Sequence, residues 1–267
     1  LHDIVITESG AVYGVMGFGL EFTPEVRADM GEAAAHFGHL VEIAADGSLT
    51  SIADILAYEA AEDQDGNGID ANPYALVLDG DDFLVADAGM NTLMRVTLDG
   101  EISTVIVFPT QVVPAPPFIP APEIPSESVP THIIAGPDGN FYVGELTGFP
   151  FHPGSARVWM ITPDGEATVH ATGFTNIGAL AFDSDGNLLV LEILAGGLLA
   201  VDPENPQTTA ARLVRVTADG NHQLIVGGAQ GLAFATGMAI DGNGDLYVVN
   251  LAVVPGASHV VRVDATE

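Results

Sequence analysis

The feature that most constrains this chain is a recurring Asp-Gly step set inside strand-like sequence. It falls at Asp46, Asp99, Asp164 and Asp219, at intervals of 53, 65 and 55 residues. Each step sits in a similar frame: HLVEIAADGSLTSIA, TLMRVTLDGEISTVI, RVWMITPDGEATVHA and RLVRVTADGNHQLIV. Ahead of each frame lies another pair of apolar runs around a Gly/Asp turn, in HDIVITESGAVYGVM, YALVLDGDDFLVAD, HIIAGPDGNFYVGE and GALAFDSDGNLLVLE; a fifth copy is GMAIDGNGDLYVVN. Short runs rich in Val, Ile, Leu, Phe and Tyr, punctuated by residues that tolerate left-handed backbone, specify meandering antiparallel strands. One four-stranded sheet cannot cover both of its faces, whereas a ring of such sheets can.

The expected fold is therefore all-β: a β-propeller of four-stranded antiparallel blades, forming a single domain over 1–267. Five blades are visible, at about 1–55, 72–108, 130–172, 176–228 and 235–267. A β-solenoid would need shorter and more regular repeats. The fifth unit ends just after a third strand, SHVVRV, so it lacks its fourth. The matching expectation is a truncated six-bladed ring with residues lost upstream.

Three excursions interrupt the repeat. Residues 17–38 break blade one, with Thr23-Pro24 reading as a helix N-cap and first position. Asp54 reads as the cap of a short helix, ILAYEAAE. Residues 109–130 hold eight prolines, predicting an extended strap whose Val112, Val113, Phe118 and Ile119 pack on the propeller.

Charge narrows the partners. Against 36 acidic residues stand six basic ones, all arginine, for a formal charge of −30. That balance excludes nucleic acid and anionic membrane surfaces, which need a positive face. With 48% hydrophobic residues the acidity is a solvated shell around a core, not disorder. No cysteine is present, so disulfides, zinc–thiolate sites and thiol nucleophiles are excluded, and no apolar run is long enough for a transmembrane segment.

Two kinds of segment go beyond a generic repeat. VADAGMNTLMRV (85–96) resembles the NHL-repeat consensus, in which Asp, Asn and Arg close the blade. GELTGFPFHPGSARV, ATGFTNIGALAF, the strap VFPTQVVPAPPFIP and ADILAYEAAEDQDG resemble the ScyD/ScyE family of NHL-like propeller proteins. The resemblance spans essentially the whole chain. It implies an exported protein, extracellular or periplasmic, and carries no defined reaction.

The most metal-like segment is Asp63-Gln64-Asp65-Gly66-Asn67-Gly68-Ile69-Asp70. Oxygen donors at Asp63, Asp65 and Asn67, with Gly68 at the sixth position and the Ile69 carbonyl following, match the start of a calcium loop. Tyr74 stands where a bidentate Glu would close it, leaving Asp70 as the substitute. The competing reading is an acidic surface turn. Asp241-Gly242-Asn243-Gly244-Asp245 looks similar, but its place in the repeat makes it a hairpin turn.

A second set comes from the repeat itself. The second strand of each blade ends at Met16, Asp87, Glu145, Glu192 or Asn250, near strand starts carrying His2, Asp3, Asn72, Thr131, His132 and Asn176. Oxygens gathered there could hold calcium in a central channel, as in lactonase-type propellers, where an ion would polarise an ester carbonyl. The plainer reading is that a position repeated in every blade ties strands together. His132 and His152 are candidate bases, and Trp159 a core residue. The expected role is an exported binding or structural module, calcium-stabilised. The alternatives are a metal-dependent lactonase-type hydrolase, and a subunit of an assembly pairing through the open blade edge near 260–267.

Overall fold

The strands are short apolar runs, continuously buried in FYVGE and LLVLE, and most turn at Asp-Gly or Asp-x-Gly corners, so each run pairs with the next in sequence. The computed structural model describes residues 1–19 and 22–263. Blade one is β1 (Asp3–Ile6), β2 (Val12–Met16), β3 (His39–Ile43) and β4 (Leu49–Asp54). Blade two is β5 (Pro73–Asp79), β6 (Asp82–Asp87), β7 (Thr92–Val96) and β8 (Ile102–Val107). A ribbon of β9 (Gln111–Pro114) and β10 (Glu123–Ser126) follows. Blade three is β11 (Pro130–Ala135), β12 (Phe141–Glu145), β13 (Ala156–Ile161) and β14 (Ala167–Phe174). Blade four is β15 (Ile177–Phe182), β16 (Leu188–Glu192), β17 (Arg212–Val216) and β18 (His222–Gly227). Blade five shows β19 (Gly237–Ile240), β20 (Leu246–Asn250) and β21 (His259–Val263).

Each blade is an antiparallel meander in sequence order: four blades have four strands and the fifth has three among the described residues. The outer pair of every four-stranded blade carries a register shift at a similar place, such as Leu40/Val41, Leu93/Met94 and Leu213/Val214. A bulge repeated this way adds twist to the outermost strands. Residues 264–267, part of the edge expected to pair with a partner, lie outside the described residues.

The chain divides into two compact units, 1–109 with 128–133 and 110–127 with 134–267. In the first, Val15 and Leu40 of blade one pack with Phe83, Val85 and Met94 of blade two. The Tyr13 and Phe83 rings lie 4.9 Å apart. In the second, Val158 and Phe174 meet Leu180 and Val190, while Leu189, Leu191 and Leu213 meet Leu246 and Val248.

The excursions form as their caps predict. Helix α1 (Pro24–Met30) has Thr23 accepting the Val26 N–H, and α2 (Ile55–Glu62) has Asp54 accepting the Ala57 N–H. Arg27 locks both, binding Asp54 through two nitrogens at 2.8 and 2.7 Å and the Phe37 carbonyl at 3.1 Å. Burial would raise the Asp54 carboxyl, but hydrogen bonds from His39, Arg27 and the Ala57 N–H outweigh it and hold it well below the usual range.

The strap is extended as expected, but it is more than a single strand. It folds back on itself, with Val112 opposite Pro125 and Val113 opposite Ile124. A two-stranded ribbon tolerates proline because only one side of each strand needs its N–H groups. Val113 is buried, but Val112 and Phe118 are exposed.

Candidate functional site

The repeated strand end can be compared blade by blade, because β-pairing fixes what faces each residue. Met16 faces His39. Asp87 faces Thr92. Glu192 faces Arg212, and Asn250 faces His259. In blade three Glu145 is bound by Arg157.

Glu145 is fully buried and saturated. The Arg157 Nε donates to both of its oxygens at 3.1 and 2.8 Å, and Nη2 donates at 2.7 Å. The Arg157 backbone N–H adds 2.9 Å and the Trp159 Nε1–H adds 2.8 Å. The guanidinium also lies over the indole, 4.9 Å from its centroid. Glu192, likewise buried, accepts from Arg212 at 2.6 and 2.9 Å and from the Thr175 N–H at 2.6 Å. Burial raises the Glu192 carboxyl, and Arg212 pulls it back. Asn250 accepts from the Ala233 N–H and donates to the Gly231 carbonyl. Three of the repeated residues thus tie the backbone or a strand of their own blade, the plainer of the two readings.

Asp87 is the exception. Its Oδ1 accepts N–H bonds from Asn72, Gly89 and Met90, at 2.8, 3.0 and 3.1 Å. No guanidinium faces it. Instead, burial raises its carboxyl to about 7, with the nearby negative Asp70 adding to the rise. Glu59 of α2 lies in the same neighbourhood and accepts the Asp70 N–H at 3.1 Å. Burial lifts Glu59 to about 8, and both Asp87 and Asp70 push the same way. Glu59 and Asp87 are each 0% exposed. Gly89 lets this happen: a Cβ there would stand 1.9 Å from the Asp70 carbonyl oxygen.

The expected calcium loop, 63–70, leads into this cluster. Asp63 closes α2 in left-handed geometry at φ 42°, and its Oδ1 accepts the Gly68 N–H at 3.2 Å. Asp65 accepts from the Asn67 backbone and side chain and from Asn91 Nδ2. Asn91 in turn accepts the Val129 N–H at 2.8 Å. The Asp and Asn of the NHL-like segment therefore tie loops, while its Arg95 ties a hairpin, bonding Asp79 and Asp82. Among the described residues, no three His, Asp or Glu side chains form a metal-ligating group. The similar run at 241–245 is the expected turn, with Asp241 accepting N–H bonds from Asn243 and Asp245.

The remaining candidates separate. Asn72 joins Asp87 through its backbone. Asn176, at φ 48°, donates to the Leu146 carbonyl at 2.7 Å. Asp3 accepts the Leu76 N–H, tying blade one to blade two, and His2 lies 4.6 Å from the Tyr74 ring. Burial lowers the His132 imidazole to about 4, which keeps it neutral. His152 lines an apolar groove of about 340 Å³ with Pro114–Pro117, Pro150, Phe151, Pro153 and Leu199. Trp159 is a core residue at 7% exposure.

Glu59 escaped the sequence reading. The available signal was its place four residues before Asp63, on the same helical face as the start of an Asp-rich loop. All six arginines are paired: Arg27 with Asp54, Arg95 with Asp79, Arg157 with Glu145, Arg212 with Glu192, Arg215 with Asp183, and Arg262 with Asp245.

No protein-family profile and no curated protein matches this sequence. Solved structures do. Virginiamycin B lyase from Staphylococcus aureus aligns with 98% of this chain and 68% of its own, at 16% identity and a TM-score of 0.57. A luciferin-regenerating enzyme aligns over 93% of this chain and 68% of its own, at 13% identity and 0.56. A chain of a nidogen/laminin complex aligns over 79% of this chain and 64% of its own, at 17% identity and 0.50. Likeness at this level shows architecture alone. The five meandering blades of this chain have the β-propeller fold, which the aligned virginiamycin B lyase shares.

Proposed function

We propose that this protein is an exported, NHL-like propeller that acts as a binding or structural module. The observation that supports this reading is the commitment of the strand-end acids. Glu145 and Glu192 are each buried against an arginine on the adjoining strand. A carboxylate already neutralised by a bidentate guanidinium is a poor ligand for an ion that must polarise a substrate. The fold class does not choose a chemistry, since it carries lyases and a component of a protein–protein complex alike. The exported location rests on the family resemblance in the sequence, and fractionation of the producing cells tests it.

The test is a lactone-hydrolysis panel run with the purified protein in calcium and in chelator. Rates equal to buffer in both conditions are expected. Turnover that chelator abolishes and that Glu145→Gln or Glu192→Gln removes would establish the lactonase-type reading instead.

An assembly through the blade edge is the second reading, favoured by β21. It is the outer strand of its sheet among the described residues, with Val260 64% exposed. Such an edge invites strand addition. Sedimentation would show a defined oligomer that Val260→Lys dissolves, or a monomer that removes the idea.

A further inference from the structure

The blade-by-blade comparison leaves one charge without a counter-charge. In blades three and four the buried strand-end acid faces or binds an arginine of the neighbouring strand, Arg157 or Arg212. In blades one and five the residue is Met16 or Asn250, and needs none. In blade two the acid is Asp87 and its cross-strand partner is Thr92, itself fully buried. Among the described residues, no guanidinium pairs with Asp87 in place of the missing arginine. Two further acids stand there instead: Asp70 of the loop lies against Gly89, whose N–H binds Asp87, and Glu59 of α2 accepts the Asp70 N–H.

The hydrogen bonding is lopsided in a telling way. Glu59 Oε2 takes the Asp70 N–H, and Asp87 Oδ1 takes three backbone N–H groups. The other oxygen of each carboxylate, Glu59 Oε1 and Asp87 Oδ2, is buried with no hydrogen-bond partner. So is Asn72 Oδ1, on the residue whose N–H caps Asp87. Leaving buried acceptors bare costs about 1–3 kcal/mol each, and more when they are charged. Backbone N–H groups fix one oxygen of each acid and leave the second pointing nowhere else, which is how a ligand sphere is held in advance.

We infer that Glu59 and Asp87, with Asp70 adding negative charge, form a buried site for a hard divalent cation, calcium by preference, which takes the place in blade two that arginine holds in blades three and four. Calcium fills six to eight positions with carboxylate, amide, main-chain carbonyl and water oxygens, so two anchoring carboxylates suffice. The site is distinct from a self-contained 63–70 loop site, whose Asp65 is already occupied by Asn67 and Asn91. It also stands apart from catalysis, since its donors are buried. The loop becomes the arm that brings Asp70 in.

The experiment is calcium titration by calorimetry, with thermal unfolding in calcium and in chelator at one fixed high ionic strength. Wild type, Glu59→Gln, Asp87→Asn and the loop variant Asp63→Asn are compared. Gln and Asn keep the acceptor for the backbone N–H groups, and Asn tolerates the left-handed backbone at position 63. The expected result is a calcium-dependent rise in Tm for wild type, at least tenfold weaker binding in Glu59→Gln and Asp87→Asn, and a largely retained effect in Asp63→Asn. Loss in Asp63→Asn with retention in the other two would overturn the proposal in favour of the loop alone. No calcium response in wild type, with Glu59→Gln and Asp87→Asn more stable than wild type in chelator, would also overturn it, because the cluster would then hold protons. Should Glu59→Gln and Asp87→Asn fail to fold, Thr92→Arg supplies the guanidinium found in blades three and four. It should abolish calcium binding while matching in chelator the Tm of calcium-loaded wild type; undiminished calcium binding would refute the site.

Discussion

Replacing Arg157 by methionine removes the three side-chain hydrogen bonds to Glu145 while keeping the length and much of the apolar stem of the side chain. What stays behind is a carboxylate at 0% exposure that still accepts from the Arg157 backbone N–H and the Trp159 indole. Breaking one side of a buried pair costs about 3–5 kcal/mol, because the survivor keeps its desolvation penalty without its counter-charge. Against a total stability of about 5–15 kcal/mol this is a large loss. At roughly 2–4 °C per kcal/mol for a chain of this size class, Tm should fall by about 6–20 °C. Trp159 is the lone tryptophan and sits in the pair itself, so urea unfolding followed by its fluorescence reads the site directly. The double variant Glu145→Gln/Arg157→Met should recover most of the loss, since the amide still accepts from Trp159 and carries no charge. A loss below about 1 kcal/mol in Arg157→Met, with an unchanged denaturant slope, would refute the reasoning. Glu145 would then tolerate exposure or protonation cheaply, and would be free to meet a ligand.

His132 sets a pH dependence of defined sign. Its folded pKa of about 4 lies below the ordinary histidine value, so the unfolded chain binds the proton first as pH falls. Its contribution is present above about pH 6.5 and is lost as pH falls toward 4, by at most about 3 kcal/mol. The stability difference between wild type and His132→Asn, measured in chelator across that window, should trace this loss, and a flat difference would contradict it. Gly89→Ala should cost about 1–3 kcal/mol by driving a methyl group into the Asp70 carbonyl, and should weaken calcium binding along with stability. Leu56→Ala opens a cavity beside Phe22 and Ala71 and should cost about 2–5 kcal/mol in a denaturant melt. An effect near zero there would mean that α2 is not held by that cluster.

The blades were legible because their signal is local. Short runs of apolar and β-branched residues such as VYGVM or HLVEI, and Asp-Gly corners with glycines such as Gly47 at φ 83°, specify strand and turn within a few residues. Thr23 and Asp54 announced their helices for the same reason. The strap was read only halfway, because a proline count predicts extension but not that Val112 finds Pro125 across a ribbon. The site was read least well. Asp87 and Asp70 were singled out on separate grounds, one from the repeat and one from the loop, and nothing local shows that they meet. Glu59 looks like any acid on a short helix. The helix that carries it is buried through Leu56, which packs with Phe22, Phe37 and Ala71 from other segments. The ion pairs of Glu145 and Glu192 were within reach, because antiparallel register alone puts Arg157 and Arg212 on the adjoining strand.

The pairing of every arginine has a consequence for how this protein meets trypsin. With no lysine, the only cleavable bonds follow six arginines. Five of these lie within β-strands and the sixth, Arg27, in helix α1. A protease needs a stretch of backbone drawn out into its cleft, so a hydrogen-bonded strand resists until it opens. The folded protein should therefore be nearly inert to an enzyme that shreds most acidic, loop-rich proteins. The first cut should fall after Arg27, where only a short helix must fray. Every later cut would time the opening of a blade.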